Sequence, residues 1–75
     1  MAVTLVFLGR LADLAGAPER SVEAGSLEAV LAGLDPGFSA ATVKLALNGT
    51  LLASREGIVL TDGDELAFLP PVSGG

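Results

Sequence analysis

Residues 26–34 read SLEAVLAGL and predict the main helix of this 75-residue chain. Its apolar stripe is Leu27, Val30, Leu31 and Leu34, at the i, i+3, i+4, i+7 spacing that turns one helix face toward a core. Ser26 is a good N-cap, because its hydroxyl oxygen can accept a hydrogen bond from a free amide of the first turn. The run Asp-Pro-Gly at 35–37 ends the helix, since the residue before a proline is pushed out of helical dihedrals.

The segment before this helix predicts two strands and a short helix. Residues 2–8 are apolar at almost every position, which is typical of a central strand covered on both faces. Residues 10–15 have helical spacing, and Gly16 follows in the position of a terminator. Residues 19–23 are polar enough to form an edge strand.

The segment after the helix predicts short strands joined by tight turns. Strands are expected at 43–47, 58–60 and 64–69, with turns at Asn48-Gly49 and Asp62-Gly63, where glycine or asparagine tolerates positive φ. Residues 38–42 give no assignment. The order of elements predicts an α+β domain over residues 1–69, a single small sheet with one helix packed across it.

The predicted opening and closing strands carry more apolar surface than one helix can cover. Residues 2–8 and 64–69 are apolar on both faces. Either part of the second sheet face is exposed as a contact surface for another protein, or the helix at 10–15 covers it. The sequence leaves both alternatives open.

The composition excludes several classes of function. Half of the residues are hydrophobic and the mean hydropathy is +0.66, yet no apolar run reaches the roughly 20 residues of a membrane span. The N-terminus lacks the pattern of a signal peptide, so we expect a cytoplasmic protein without membrane contact. A net charge of −5 argues against nucleic acid and favours a basic protein surface as partner.

The chain contains neither cysteine nor histidine. This excludes disulfides, thiol nucleophiles, serine–histidine dyads and metal sites built on imidazole or thiolate. We therefore expect a non-catalytic protein whose chemistry uses catalytic groups of other proteins.

Residues 70–75 form the predicted C-terminal tail. Pro70 and Pro71 end the sheet because neither has a backbone N–H, and Val72, Ser73, Gly74 and Gly75 follow. Fully extended, these residues could reach on the order of 20 Å into a partner, and the glycines could thread a channel too narrow for side chains. The alternative is a frayed end after a proline pair that merely terminates a strand.

A resemblance to a known family distinguishes these alternatives. Residues 61–75, TDGDELAFLPPVSGG, resemble the end of the small subunit of molybdopterin synthase, the MoaD sulfur-carrier family. Residues 7–16, FLGRLADLAG, and residues 45–49, LALNG, resemble the family's first strand with its short helix and a later strand with its turn. The likeness departs only at residues 33–42, where this sequence is shorter. It implies a ubiquitin-like β-grasp fold, a small mixed sheet packed on one main helix, with a flexible tail.

The resemblance also implies a mechanism. An E1-like adenylyltransferase uses ATP to adenylate the carboxylate of Gly75, and a sulfur donor protein supplies the sulfur of a thiocarboxylate. The tail then enters the molybdopterin synthase large subunit, in a heterotetramer, where sulfur passes to cyclic pyranopterin monophosphate to build the dithiolene. The chain itself is implied to bind no cofactor and no metal.

We predict an apolar collar beside the tail, formed by Phe7, Leu69, Pro70, Pro71 and Val72, that docks on the large subunit. The alternative for Phe7 is an ordinary core position. Three other functions stay open from the sequence: a sulfur carrier for thiazole synthesis, a ubiquitin-like protein modifier conjugated to lysines, and a plain interaction domain.

Overall fold

The computed structural model describes residues 2–38 and 42–70. Its elements are β1 (Ala2–Phe7), α1 (Arg10–Ala15), β2 (Glu19–Glu23), β3 (Gly25–Ser26), α2 (Leu27–Ala32), a 3₁₀ turn (Pro36–Phe38), β4 (Lys44–Leu47), β5 (Thr50–Leu51), β6 (Val59–Leu60) and β7 (Glu65–Leu69). Each predicted element is found within a residue or two of its expected bounds. The unassigned stretch 38–42 begins in the 3₁₀ turn, and residues 39–41 lie outside the described part.

Five of these strands form one mixed sheet in the order β2-β1-β7-β4-β5. The first and last strands, β1 and β7, are parallel neighbours near its middle, and the pairs on either side of them are antiparallel. The strands β3 and β6 form a separate two-stranded sheet, so the prediction of a single sheet is wrong. Each of these strands has only two residues, too few to give a pattern of alternating side chains in the sequence. The predictions of a central strand at 2–8 and of an edge strand at 19–23 are therefore confirmed, and the closing strand predicted at 64–69 is central as well.

One face of the mixed sheet carries the core. The residues Val3, Leu5, Phe7, Leu45, Leu66 and Phe68 are buried on this face, where they cluster with Leu11 of α1, Leu27 of α2 and Phe38. Both helices therefore pack against the same side of the sheet. This arrangement, a mixed sheet holding a helix across one face, confirms the predicted α+β class and β-grasp fold.

The main helix is shorter than its apolar stripe predicted. The Ser26 hydroxyl caps it as expected, accepting from the Ala29 amide at 3.1 Å. The helix then ends at Ala32 with Gly33 as its C-cap, because the poor helix propensity of glycine favours a stop there. Leu34 still packs against the core from the turn that follows.

Within residues 2–38 and 42–70, no helix is long and apolar enough to cross a membrane.

The predicted Asn48-Gly49 turn joins β4 to β5. Both residues have positive φ, 50° and 87°, as a two-residue hairpin turn requires. The Asn48 side chain also reaches the neighbouring strand: its amide nitrogen donates to Asp64 Oδ1 at 3.0 Å, and its oxygen accepts from the Glu65 amide at 2.9 Å. The turn is thus tied to the start of β7.

Asp64 has hydrogen bonds that favour its ionised form. Its Oδ2 accepts from the Thr61 amide at 2.8 Å and from the Thr61 hydroxyl at 3.1 Å. The Thr61 backbone bond, and then the bond from Asn48, hold the pKa of Asp64 below its ordinary value of 3.8. A carboxylate with a lowered folded-state pKa stabilises the fold above the unfolded-state pKa.

Protonation of Asp64 should therefore destabilise the domain in acid. We expect its contribution to be complete above about pH 4 and to be lost as the pH falls through the lowered folded-state pKa. Urea unfolding from pH 7 to pH 2 measures this. The isosteric variant Asp64→Asn is the control: its unfolding free energy should fall less steeply between pH 4 and pH 2, and identical slopes would contradict the role of Asp64.

The open sheet face and the base of the tail

The sheet face opposite the helices carries a continuous apolar row. Strand register places Val6, Ala67, Ala46 and Leu51 side by side across β1, β7, β4 and β5. Leu51, at the end of this row, is 63 % exposed. This row and the neighbouring row described in the next paragraph together form a surface that we call the open face.

The next row lies at the end of the sheet from which the C-terminal segment leaves. Leu69 pairs with Lys44 across β7 and β4, and Leu8 follows the end of β1 beside them. Glu19 borders the apolar surface on β2, and Glu65 borders it at the start of β7. The open face therefore has an apolar centre, a carboxylate on two sides, and the exposed ammonium of Lys44 near the tail.

The open face is not covered by α1. Leu11 of that helix is buried in the core cluster on the opposite side of the sheet, so the prediction that this helix covers the second face is wrong. The alternative prediction, a partly exposed second face, is confirmed: Leu8 and Leu51 are exposed, and Val6 and Leu69 are half-buried.

The base of the tail is fixed between β1 and α1. The Leu8 amide donates to the Phe68 carbonyl at 3.1 Å, which extends the pairing of β1 and β7 to the last strand residues. Gly9 follows with φ 55° and ψ −132°, a conformation that L side chains rarely adopt. A Cβ on Gly9 would lie 3.1 Å from Cγ of Pro70. The absence of a side chain at Gly9 thus lets the Pro70 ring lie against the backbone. In the sequence Gly9 indicated only the end of a strand, so this role was not predicted.

A groove opens on the helix side of Pro70. It has a volume of about 380 Å³ and lies between α1 and the start of β4. Leu14, an exposed leucine of α1, and Arg10 line it together with Val43. The chain thus leaves the sheet between the open face on one side and this groove on the other.

The prediction that Phe7 belongs to the docking collar is wrong. Its side chain is only 2 % exposed, and its ring centroid lies 5.0 Å from that of Phe38 and 5.2 Å from that of Phe68. In strand β1 the odd-numbered residues face the core, so Phe7 points away from the open face. The alternative, an ordinary core position, is the one found.

The remaining predicted site residues divide into two groups. Leu69 lies on the open face and Pro70 at its end, both half-buried. The other predicted site residues, Pro71, Val72, Ser73, Gly74 and Gly75, lie outside the described residues. Three open-face residues, Val6, Ala46 and Leu51, were not predicted as site residues, although the doubly apolar strands had indicated such a surface.

Comparisons with known proteins identify relatives of this fold. The model of the ThiS family matches residues 5–75. A search of curated proteins found no match. Among solved structures, SAMP1 from Haloferax volcanii is 27 % identical over the whole of both chains, with a TM-score of 0.72. The small archaeal modifier protein 1 from Methanosarcina acetivorans is 25 % identical over 99 % of this chain and 96 % of its own, with a TM-score of 0.73.

A third structure is a complex of subunits 1 and 2 of the molybdopterin-converting factor from Helicobacter pylori. Its matching chain is 28 % identical over the whole of both chains, with a TM-score of 0.70. The fold, and a family match that runs through the predicted tail to residue 75, lead to one conclusion: this chain belongs to the ThiS family.

Proposed function

We propose that the chain is the sulfur carrier subunit of a molybdopterin synthase and carries sulfur as a thiocarboxylate on Gly75. The observation that carries the proposal is the likeness, over the full length of both chains, to a protein in complex with subunit 2 of a molybdopterin-converting factor. Because that protein shares the fold of this chain and forms a complex with subunit 2, we expect a large subunit to be the partner of this chain.

The proposed chemistry begins with an unreactive carboxylate. At neutral pH a terminal carboxyl group, with a pKa of about 3.5, is anionic and resists nucleophiles. An E1-like enzyme would therefore let the Gly75 carboxylate attack the α-phosphorus of ATP, releasing pyrophosphate and forming an acyl adenylate. Hydrosulfide released by a sulfur donor protein then attacks the carbonyl carbon, AMP leaves with the electrons of the acyl C–O bond, and loss of the S–H proton leaves the thiocarboxylate. Because ATP drives this step, the proposed cycle takes place in the cytoplasm.

The loaded tail then gives its sulfur to cyclic pyranopterin monophosphate on the large subunit. The thiocarboxylate sulfur bonds to a side-chain carbon of the pterin, whose oxygen substituent leaves with the electrons of the broken C–O bond. Water then attacks the acyl carbon, and cleavage of the acyl C–S bond leaves the sulfur on the pterin and restores the carboxylate. Two such cycles supply the two sulfurs of the dithiolene. The chain contributes no catalytic side chain, because the groups that move protons in these steps belong to its partners.

The open face supports docking beside the tail. Apolar area at the end of β7 lies directly next to Leu69 and Pro70, so a partner that covers this surface would also receive the residues that follow. The carboxylates of Glu19 and Glu65 at its border, with the net charge of −5, favour a basic partner surface. Val72, Ser73 and Gly74 would then lie in the partner's channel and place Gly75 at the reaction centre.

Intact-mass measurement tests the proposal. The chain is incubated with ATP, an activating enzyme and a sulfur source, with ATP omitted as control. An ATP-dependent increase equal to the mass difference between sulfur and oxygen supports the carrier. No change in mass under conditions that load a known carrier would contradict it.

Docking through the open face predicts a selective effect of Leu51→Asp and Leu69→Asp. Each places a carboxylate in apolar surface that the partner would cover, and we expect affinity for the large subunit to fall about tenfold or more. Val59→Asp is the matched control, because Val59 is 64 % exposed where Leu51 is 63 % exposed but lies on the separate two-stranded sheet. Calorimetric titration measures all three, and equal affinities would refute docking through this face.

A protein modifier is the second candidate, favoured by the likeness to small archaeal modifier protein 1. It uses the same adenylated Gly75 but ends in an isopeptide bond to a lysine. Mass spectrometry of cell lysates for lysines that bear the C-terminal peptide distinguishes it from the carrier. A thiazole-synthesis carrier would be loaded with sulfur but would not bind the molybdopterin synthase large subunit.

A further inference from the structure

The outer edge of β2 has a defined set of free backbone groups. The Phe7 amide donates to the Pro18 carbonyl at 2.8 Å, which fixes the phase of the antiparallel β1–β2 ladder. Because hydrogen-bonded pairs alternate along such a ladder, Arg20 and Val22 turn their N–H and C=O groups toward β1. The backbone groups of Glu19, Ser21 and Glu23 therefore point outward, away from the sheet.

This edge is unpartnered in residues 2–38 and 42–70: β2 is the first strand of the sheet order, and no described segment pairs with its outer side. Natural sheets protect such an edge with a proline, a bulge, a covering element or charged side chains. On β2 the protection is the charge of Glu19, Arg20 and Glu23, and the five residues form a regular ladder with β1. The edge can therefore accept a strand whose charges complement these, and it repels one whose charges match them.

A groove of about 530 Å³ runs along the same edge, between β2 and α2. Arg20 and Val22 line it from the strand, since their register partners Leu5 and Val3 face the core. The helix side is apolar and includes Val30, Gly33 and Leu34. A side chain on an added strand would thus meet an apolar wall next to Val22.

The other face of the edge is acidic. Ser21 and Glu23 also line the groove, but because side chains alternate along a strand, the side chains of Glu19, Ser21 and Glu23 lie on the face opposite those of Arg20 and Val22. The two faces of the edge therefore differ in chemical character. Carboxylates face one side, while an apolar wall and the Arg20 guanidinium face the other.

We propose that β2 and this groove bind an extended peptide segment of a partner protein, which adds to the sheet as a further strand. Cross-strand complementarity defines its chemistry. Residues opposite Glu19 and Glu23 are lysine or arginine, the residue opposite Val22 is an aliphatic that fills the groove, and the residue opposite Arg20 is acidic. This site is distinct from the tail and from the apolar rows of the open face, and it shares only Glu19 with the border of that face.

A second copy of this chain fits the edge poorly. Antiparallel pairing of two β2 strands about Ser21 would put Glu19 of one copy opposite Glu23 of the other, twice. Like charges directly opposite each other destabilise a strand pair, so the edge favours a basic segment over its own copy.

The probe is the acetylated, amidated peptide IKITEK, which in antiparallel pairing would run from Ala24 to Glu19 with lysines opposite both glutamates. The reversed peptide KETIKI tests parallel pairing, and IEITKE, with inverted charges, is the control. In NMR titrations of the full chain we expect one of the first two to bind saturably, about tenfold more tightly than IEITKE. The amides of Glu19, Ser21 and Glu23 should gain protection from hydrogen exchange.

Two sets of variants locate the binding. Ser21→Pro removes an outward N–H without touching the β1 ladder, as proline is tolerated on an edge strand, and should weaken binding about tenfold or more. Ser21→Thr keeps the N–H and should bind normally. The double variant Glu19→Lys, Glu23→Lys should reverse the preference, binding IEITKE better than IKITEK, and this result does not depend on Ser21→Pro folding.

Three outcomes would overturn the proposal. The first is that neither IKITEK nor KETIKI binds the chain up to the solubility limit. The second is that the charge-reversed variant keeps the original preference, or that a folded Ser21→Pro variant binds as well as Ser21→Thr. The third is self-association in sedimentation experiments that Ser21→Pro abolishes, which would show that a second copy occupies the edge.

Discussion

A chain extended by one alanine beyond Gly75 is expected to be neither adenylated nor thiocarboxylated. The extension moves the carboxylate by one residue and replaces a hydrogen with a methyl group, so the reacting atoms no longer meet the nucleotide in a channel that accepts only glycine. Misplacement by about 1 Å can cost on the order of 100-fold in rate, and this shift is larger. Intact-mass measurement after incubation with ATP, activating enzyme and sulfur source should show the unmodified mass.

The control compares one extended chain before and after its extension is removed. A longer extension that a specific protease removes after Gly75 should block loading before cleavage and restore it afterward. This excludes misfolding as the cause of the loss. An extended chain that gains sulfur without cleavage would refute Gly75 as the carrier residue, and a cleaved chain that stays unloaded would refute it as well.

The variant Phe7→Asp is expected to unfold the domain rather than merely prevent docking. Removing a buried aromatic ring costs about 3–5 kcal/mol, and an unpaired buried carboxylate adds to that cost. A domain of this length has only about 4–11 kcal/mol of stability, at roughly 0.05–0.15 kcal/mol per residue. Phe7 also contacts both other phenylalanines of the chain, so its loss opens the whole aromatic cluster.

Far-UV circular dichroism and urea unfolding measure this effect. Leu51→Asp carries the same new charge on the open face and should keep its unfolding free energy within about 0.5 kcal/mol of the parent, as exposed substitutions usually do. A folded Phe7→Asp variant that fails only to bind the large subunit would contradict the core assignment and restore Phe7 to the docking surface.

The elements predicted best are those whose signals are local. The Asn48-Gly49 turn and the Ser26 cap depend on residues only a few positions away, and both were found where the sequence indicated them. The end of α2 was predicted less well, because the apolar stripe continues to Leu34 while the helix ends at Ala32. A residue can pack against the core from a turn as well as from a helix, so a stripe does not fix a helix end.

The candidate site was predictable only in part for a related reason. Apolar residues on both faces of β1 and β7 indicated a second surface, yet periodicity does not tell which face a short helix covers. Phe38 shows the same limit, since it lies at the start of a stretch without assignment but completes the aromatic cluster. Its ring partners, Phe7 and Phe68, are distant in sequence, so no local sequence pattern predicts these contacts.

The sequence by itself determined the α+β order of elements, the turn and cap positions, the acidic charge, the lack of thiol and imidazole chemistry, and the likeness in the C-terminal residues that points to Gly75. These properties depend on residue type and on neighbours along the chain. Only the tertiary structure decided that both helices share one face, that Phe7 is core while Leu51 is exposed, and that Ser21 turns its amide outward from β2. These depend on which strands pair and in which register, and pairing brings together residues that the sequence keeps far apart.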